Sequence, residues 1–218
     1  MKIIRIAMLG VVVLLSGLCC ADSGLVDNQL IRSGYKITLS ENKNAIFVAG
    51  KFNHGISDDV IGIYRANQNT VKSIMYSSSG GKLHESLTLY QLAQENNLDT
   101  YAINYCYSAC TTAFVGGQNR ISLMQTKFGF HKFGAKAFKD LEPDNAVLIE
   151  AQNRNTSLFQ EQGVKTDFLN QIYQANHADM WNPNLIELLK GNVVHKFIQD
   201  LNLITDFDIT NKLLYPEI

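Results

Sequence analysis

An α/β layer fold is what this sequence predicts, on three observations. Apolar runs of strand length alternate with segments of helical period, in the order strand, helix, strand, helix, strand, helix. Right-handed crossovers connect such strands into one sheet. Serine and glycine gather where strands stop, most plainly at Gly50 and over Ser77–Gly81. Finally, 218 residues with 46% hydrophobic and 18% charged side chains suffice for one sizeable core and are too polar for a multi-span membrane protein.

The first residues stand apart from that pattern. Lys2 and Arg5 precede an apolar run from Ile6 to Leu15, followed by Ser16, Gly17 and the small residues Cys19, Cys20 and Ala21. This is the charged, apolar and small-residue succession of a secretory signal peptide. The run is shorter than the roughly 18 to 20 residues needed to cross a bilayer as a helix. Residues 1–21 are therefore expected to be removed near Ala21, leaving residues 22–218 as a single domain in the periplasm or outside the cell. A lipid-anchored start at Cys19 or Cys20 is disfavoured, because Leu18 and Cys19 are poor neighbours for a lipidated cysteine.

The remaining elements run in order along the chain. Tyr35 to Glu41 and Asn44 to Gly50 read as strands, the second carrying Ile46, Phe47 and Val48. Ser57 is placed to cap a helix with Asp58 and Asp59 in its first turn. Val71 to Ser77 reads as a strand, Ser77–Gly81 as a turn, and Leu83, Leu87 and Tyr90 mark a helix through about Asn96. Thr100 to Cys106 is the next core strand. Ser108 to Val115 is a short apolar helix, with Gly116 and Gly117 as its stop. Thr126 to His131 is again strand-like. Residues from about 140 to 178 are helical and mostly polar and read as an outlying arm, with Val147, Leu148, Leu158, Phe168 and Leu169 among its apolar minority. Asn182 and Pro183 open a helix through Lys190, with Pro at its first position and Gly191 at its end.

Charge narrows the function classes. Nineteen basic against 20 acidic residues give a net charge of -1, without the basic footprint of a nucleic-acid or anionic-membrane binder. Gly81-Lys82 invites comparison with a phosphate loop. That loop would need Gly where Tyr76 stands and Ser or Thr where Leu83 stands, so the reading fails.

Chemistry concentrates in three groups at strand ends, where α/β folds place ligands: Ser79-Gly80-Gly81, Cys106 to Cys110, and Phe128 to His131. Ser108 lies where a strand gives way to a helix, a position that suits either an N-cap or a nucleophile on a sharp turn. Ala109 would offer a backbone N–H at the helix start. The glycine pair is either a tight turn or a place where backbone approaches a substrate. His131 is either a base or a strand histidine packed between Phe130 and Phe133. His84 is a rival base, His177 a rival partner for Asp179, and His54 and His195 have no evident partner.

The order and approximate spacing of these groups resemble the proteolytic subunit of the Clp protease and its relatives in the Clp-protease/crotonase superfamily. The resemblance rests on the strand Ile46 to Gly50, the helix after it, the loop Ser79-Gly80-Gly81, the Ser108 turn, Gly116-Gly117 with Arg120, and Gly129-Phe130-His131. It covers roughly residues 45–194 and is strongest from Ser79 to His131. It implies a spiral of ββα units with a helical arm. It further implies Ser108 as nucleophile, His131 as base, and Gly80, Gly81 and Ala109 around the oxyanion. The family's acid lies directly before the last short helix, which selects Asp179, with Asp167 as rival and Asp200 as the remaining downstream candidate.

Two departures matter. Ser79 replaces the proline of the family's glycine loop, and cysteines bracket Ser108 where the family has small residues. Cys106 and Cys110 do not form a Cys-x-x-Cys redox motif. A zinc site there would need two further ligands for which the sequence offers no matching pair. In an exported protein a disulfide is expected, and four residues across a strand-to-helix turn can bring the Cα atoms within its range.

The expectation is thus an exported, ATP-independent serine hydrolase acting on a peptide or protein substrate. It has no cofactor, no metal, no nucleic-acid partner and no ATPase partner, and it assembles as a homo-oligomer. An idle scaffold of the same fold, or an acyl-(thio)ester hydrolase, is the alternative.

Overall fold

The computed structural model describes residues 28–133, 146–175 and 179–200. The signal-peptide segment 1–21, with Cys19, Cys20 and Ala21, lies outside the described residues, as does His177.

Residues apolar on both faces build the centre of the sheet. β3 (Ala45–Gly50) and β4 (Ser73–Ser78) are buried along almost their whole length, as strands covered on both sides must be. Around them run β1 (Gln29–Arg32), β2 (Tyr35–Leu39), β5 (Asp99–Tyr107), β6 (Arg120–Leu123), β7 (Lys127–Gly129) and β8 (Lys196–Ile198). The sheet order is β1-β2-β3-β4-β5-β6-β8, with β7 paired to β5 off that path. β1, β2 and β3 are antiparallel, and every pairing from β3 onward is parallel. The α/β expectation holds.

Alternation along the strands divides the apolar residues between two cores. Ile46, Val48, Ile74, Tyr76 and Ala102 join the main core with the helices, whereas Ala45, Phe47, Ala49, Met75, Tyr101 and Ile103 form a second cluster. The helices are α1 (Ile56–Ala66), α2 (Leu83–Glu95), α3 (Ala109–Val115), α4 (Ala146–Glu161), α5 (Thr166–Gln174) and α6 (Leu185–Lys190). Among the described residues, no helix is long and apolar enough to cross a membrane.

β5 does most to position the site, because it changes partner midway. Thr100 to Ala102 pair with β6, and Tyr105 to Tyr107 pair with β7. The change falls at Asn104, whose φ of 60° is one that asparagine tolerates better than most residues. Its register with β4 also shifts, between Tyr76 and Ser78. The last three residues of β5 are thereby handed to β7, which leads to His131.

Several local expectations are corrected. Ser57 does not cap α1; that position is Gly55, in a left-handed conformation, and Ser57 instead donates from its N–H and hydroxyl to Glu85. Gly116 is not a left-handed helix stop, since its φ is -66°. A Cβ there would lie 2.6 Å from the Tyr90 carbonyl oxygen, so glycine is required for close packing of α3 on α2. Pro183 precedes α6, which is capped by Asn184 through a reciprocal pair with Glu187. The helical arm is less outlying than its polarity suggests: Phe159, Phe168, Leu169 and Ile172 enter the main core, while Val147 and Ile149 remain exposed. β1, β6 and β8 are three or four residues long, too short to carry a readable period.

Arg120 opens β6 and is fully buried. Its guanidinium donates to the carbonyl oxygens of Val193 (2.9 Å), Asn192 (2.6 Å) and Gln162 (3.1 Å). Burial pulls its pKa down to about 10. It fastens the segments that follow α4 and α6 to the start of β6.

Candidate active site

Ser108 sits between the end of β5 and the start of α3 with φ 53° and ψ -125°. Positive φ is uncommon for a residue bearing a side chain and persists only where surrounding structure enforces it. Here the Ser108 N–H donates to the Gly129 carbonyl at 2.9 Å, and its own carbonyl accepts from the Thr111 N–H (2.9 Å) and hydroxyl (2.8 Å). Cys106 and Cys110, both fully buried, have their sulfurs at disulfide distance and their Cα atoms 5.3 Å apart. The turn is closed from below by that link.

The hydroxyl is not spent on the helix. Ser108 occupies the N-cap position of α3, yet its side chain makes no capping hydrogen bond. Its Oγ lies 2.8 Å from Nε2 of His131. His131 Nδ1 lies 2.7 Å from the Lys132 carbonyl oxygen, which can only accept. Nδ1 therefore carries a proton, and in the neutral ring Nε2 is the acceptor facing the serine. Both side chains are half-buried.

The glycine loop leans on the same turn. A Cβ at Gly80, whose φ is 84°, would come within 2.5 Å of the Tyr107 carbonyl oxygen and 2.8 Å of the Ala109 nitrogen. Only glycine allows that approach. The Gly80 N–H itself donates to Ser78 Oγ at 3.0 Å, so Gly80 contributes space and not a donor. Gly81 forms a parallel bridge with Phe52 through its neighbours, the Gly80 carbonyl and the Lys82 N–H. In such a bridge the central residue's own N–H points away from the partner strand. The Gly81 N–H is thus turned away from Phe52, and Ala109 opens a helix, where N–H groups lack intrahelical partners.

Asp179 belongs to a segment clamped onto β7. A Cβ on Gly129 would collide with the Met180 side chain, Trp181 exchanges two 2.8 Å backbone hydrogen bonds with Phe130, and Asn182 Nδ2 donates to the Phe128 carbonyl at 2.7 Å. Trp181 also packs against Phe130 and Phe168. Asp179 is exposed at the end of this clamp. Among the described residues no hydrogen bond or ion pair joins it to His131. Asp167 is exposed in the first turn of α5, and Asp200 is exposed after β8.

The other described histidines, His54, His84 and His195, are engaged elsewhere. His84 faces Glu85 at 3.0 Å, as does His54 at 3.3 Å. His195 Nδ1 accepts from the Arg120 N–H, and burial, then the Arg120 charge, lowers its pKa. A pocket opens beside Ser108 and His131, walled by Phe130, Phe133, Phe159 and Ile172, with Thr112 hydrogen-bonded to Asn155 at 3.0 Å on its polar side. Phe159, Asn155 and Ile172 come from α4 and α5, so the arm builds one wall of the site. That wall, the Lys132 carbonyl and the Ser78 hydroxyl have no signature in the sequence.

No protein-family model matches the chain, and no curated protein matches it by sequence. Solved structures do. ClpP1 from Listeria monocytogenes superposes with a TM-score of 0.61 at 16% identity, covering 74% of this chain and 95% of that one. A point mutant of the same ClpP1 gives 0.59 at 16% identity, covering 73% and 93%. The chain has a ClpP-like fold.

Proposed function

We propose that this protein is an exported, ATP-independent serine hydrolase, a peptidase by substrate class, with Ser108 as nucleophile, His131 as general base and Asp179 as the supporting acid. The observation that carries this reading is a hydroxyl held on a strained strand-to-helix turn, unused as a cap, 2.8 Å from an imidazole nitrogen whose other nitrogen faces a carbonyl. A serine kept only as a helix cap has no reason to turn away from the helix. Export rests on the N-terminal segment, and the absence of an ATPase partner follows from export.

In the proposed reaction, His131 Nε2 takes the Ser108 proton as Oγ attacks the scissile carbonyl carbon. The carbonyl π bond breaks, and its electron pair moves to the oxygen. Ala109 N–H and Gly81 N–H stabilise that oxyanion, and both are already oriented before substrate arrives. The tetrahedral species then collapses: the C–N bond breaks, and imidazolium Nε2–H protonates the leaving amine. Water repeats the sequence on the acyl-serine, releasing the acid and restoring Ser108. Asp179 is proposed to meet Nδ1–H when the substrate-bound site closes, displacing the Lys132 carbonyl, since catalytic hydrogen bonds often tighten only in the complex. Assembly as a homo-oligomer belongs to the same reading.

A fluorophosphonate probe tests it. The probe is expected to label the protein at Ser108 and to leave Ser108→Ala unlabelled with an unchanged Tm. Failure to label the folded wild type, or equal peptidase activity in Ser108→Ala, overturns it.

A further inference from the structure

Glu85 is a carboxylate only 2% exposed, on the first turn of α2. Its Oε2 accepts from the Ser57 N–H (2.9 Å) and the Ser57 hydroxyl (2.6 Å), and its Oε1 accepts from the Gly55 N–H (2.8 Å). The start of α1 thus grips a side chain from α2. Two histidines converge on the same Oε1: His84 Nε2 at 3.0 Å and His54 Nδ1 at 3.3 Å. The three donor atoms all lie within 4.8 Å of one another.

Those separations have a meaning in coordination chemistry. Zinc bonds imidazole nitrogen and carboxylate oxygen at about 2.0–2.1 Å, so adjacent ligands of a tetrahedral centre stand about 3.3 Å apart. The two N···O distances already match that edge. The two imidazoles are exposed, at 83% and 61%, and rotate without disturbing the core. The ligand set is two imidazoles and one carboxylate, which suits zinc and its first-row neighbours, whereas calcium and magnesium prefer oxygen alone. Ser57 and Gly55 do for Glu85 what outer-shell groups do in metal sites: they fix the carboxylate's orientation before the ion arrives.

We propose that His54, His84 and Glu85 form a three-ligand site for a divalent transition metal of the zinc class, with the fourth position open to solvent. The site ties the N-terminal ends of α1 and α2 together, and His84 stands three residues after Gly81. A bound ion would hold His84, on the first turn of α2, close behind the Gly80-Gly81-Lys82 turn. Metal binding itself does not depend on Ser108 being catalytic.

The full chain, purified without a polyhistidine tag and stripped of metal, is titrated with Zn²⁺ by calorimetry, and its Tm is followed with and without Zn²⁺. One ion per chain is expected, with a rise in Tm. Outer-shell changes weaken metal sites by about 10- to 100-fold. Loss of a direct ligand in His54→Ala or His84→Ala should weaken binding at least that much and remove the Tm rise, while Ser57→Ala should fall within that range. Both histidine variants alter exposed side chains and should keep the metal-free Tm. His131→Ala should bind Zn²⁺ as the wild type does. The proposal is overturned if the wild type takes up no Zn²⁺, if both histidine variants bind it undiminished, or if His131→Ala alone loses it.

Discussion

Backbone of Gly80, Gly129 and Thr111 closes on the Ser108 turn, whereas Asp179 hangs at the solvent end of a three-residue clamp. Around the serine, the Gly80 backbone, the Gly129 carbonyl, Thr111 and the Cys106–Cys110 pair all hold the turn. Around the aspartate there is one β-bridge at Trp181, one side-chain hydrogen bond at Asn182 and the contact of Met180 on Gly129. The proposed nucleophile is thus held by the core, where a displacement near 1 Å would be costly for catalysis. The proposed acid, Asp179, is carried by an exposed segment.

The largest loss is expected at the Ser108–His131 pair itself. His131→Ala should abolish peptide hydrolysis as completely as Ser108→Ala, by about six orders of magnitude, because members of such a unit fail together. On the surface half, Asp179→Asn should lower turnover by about four orders by favouring the wrong imidazole tautomer, the loss that the same change of acid to amide causes in a serine-protease triad. Asp167→Asn should leave turnover unchanged. If steady-state kinetics give the reverse, the clamp does not carry the acid and Asp167 takes its place.

The rigid half predicts a different kind of damage. Gly80→Ala puts a Cβ against the Tyr107 carbonyl and the Ala109 nitrogen at a φ of 84°. It should cost about 1–3 kcal/mol of stability from backbone strain and remove activity with it, as measured by denaturant unfolding beside an assay. A variant that unfolds at the wild-type denaturant concentration would show that the loop can retreat from Ser108.

A stability loss of similar size, with a smaller loss of activity, is expected from the cysteines. Opening a loop of so few residues should remove about 2 kcal/mol by chain entropy. Loss of direction at Ser108 and Ala109 should reach activity first, so titration with a mild reductant should lower hydrolysis before it lowers Tm. Two freely alkylated thiols in the native, fully active protein would sink the idea.

Much of the frame was legible in the chain. β2 through β5 and α1 through α3 announce themselves by periodicity, and Ser79–Gly81, Ser108 and His131 by their places after strands, because these signals arise between residues within about a turn of each other. Other features depend on partners far away in sequence. β6 and β8 are strands because Ile121 to Leu123 find Lys196 to Ile198. Gly116 is glycine because Tyr90 lies against it. Ser57 reads as a cap by local rules and is drawn instead to Glu85, 28 residues away, because a buried carboxylate must be satisfied.

By itself the sequence determined an α/β chain, the residue types available for acyl transfer, and the strand ends that carry them. Tertiary structure alone decided that Ser108 and His131, 23 residues apart, stand 2.8 Å from each other, that the Lys132 carbonyl holds the imidazole, and that His54 meets His84 and Glu85. Those juxtapositions form where crossovers bring strand ends and helix starts to one edge of the sheet, and no local pattern records which ends will meet.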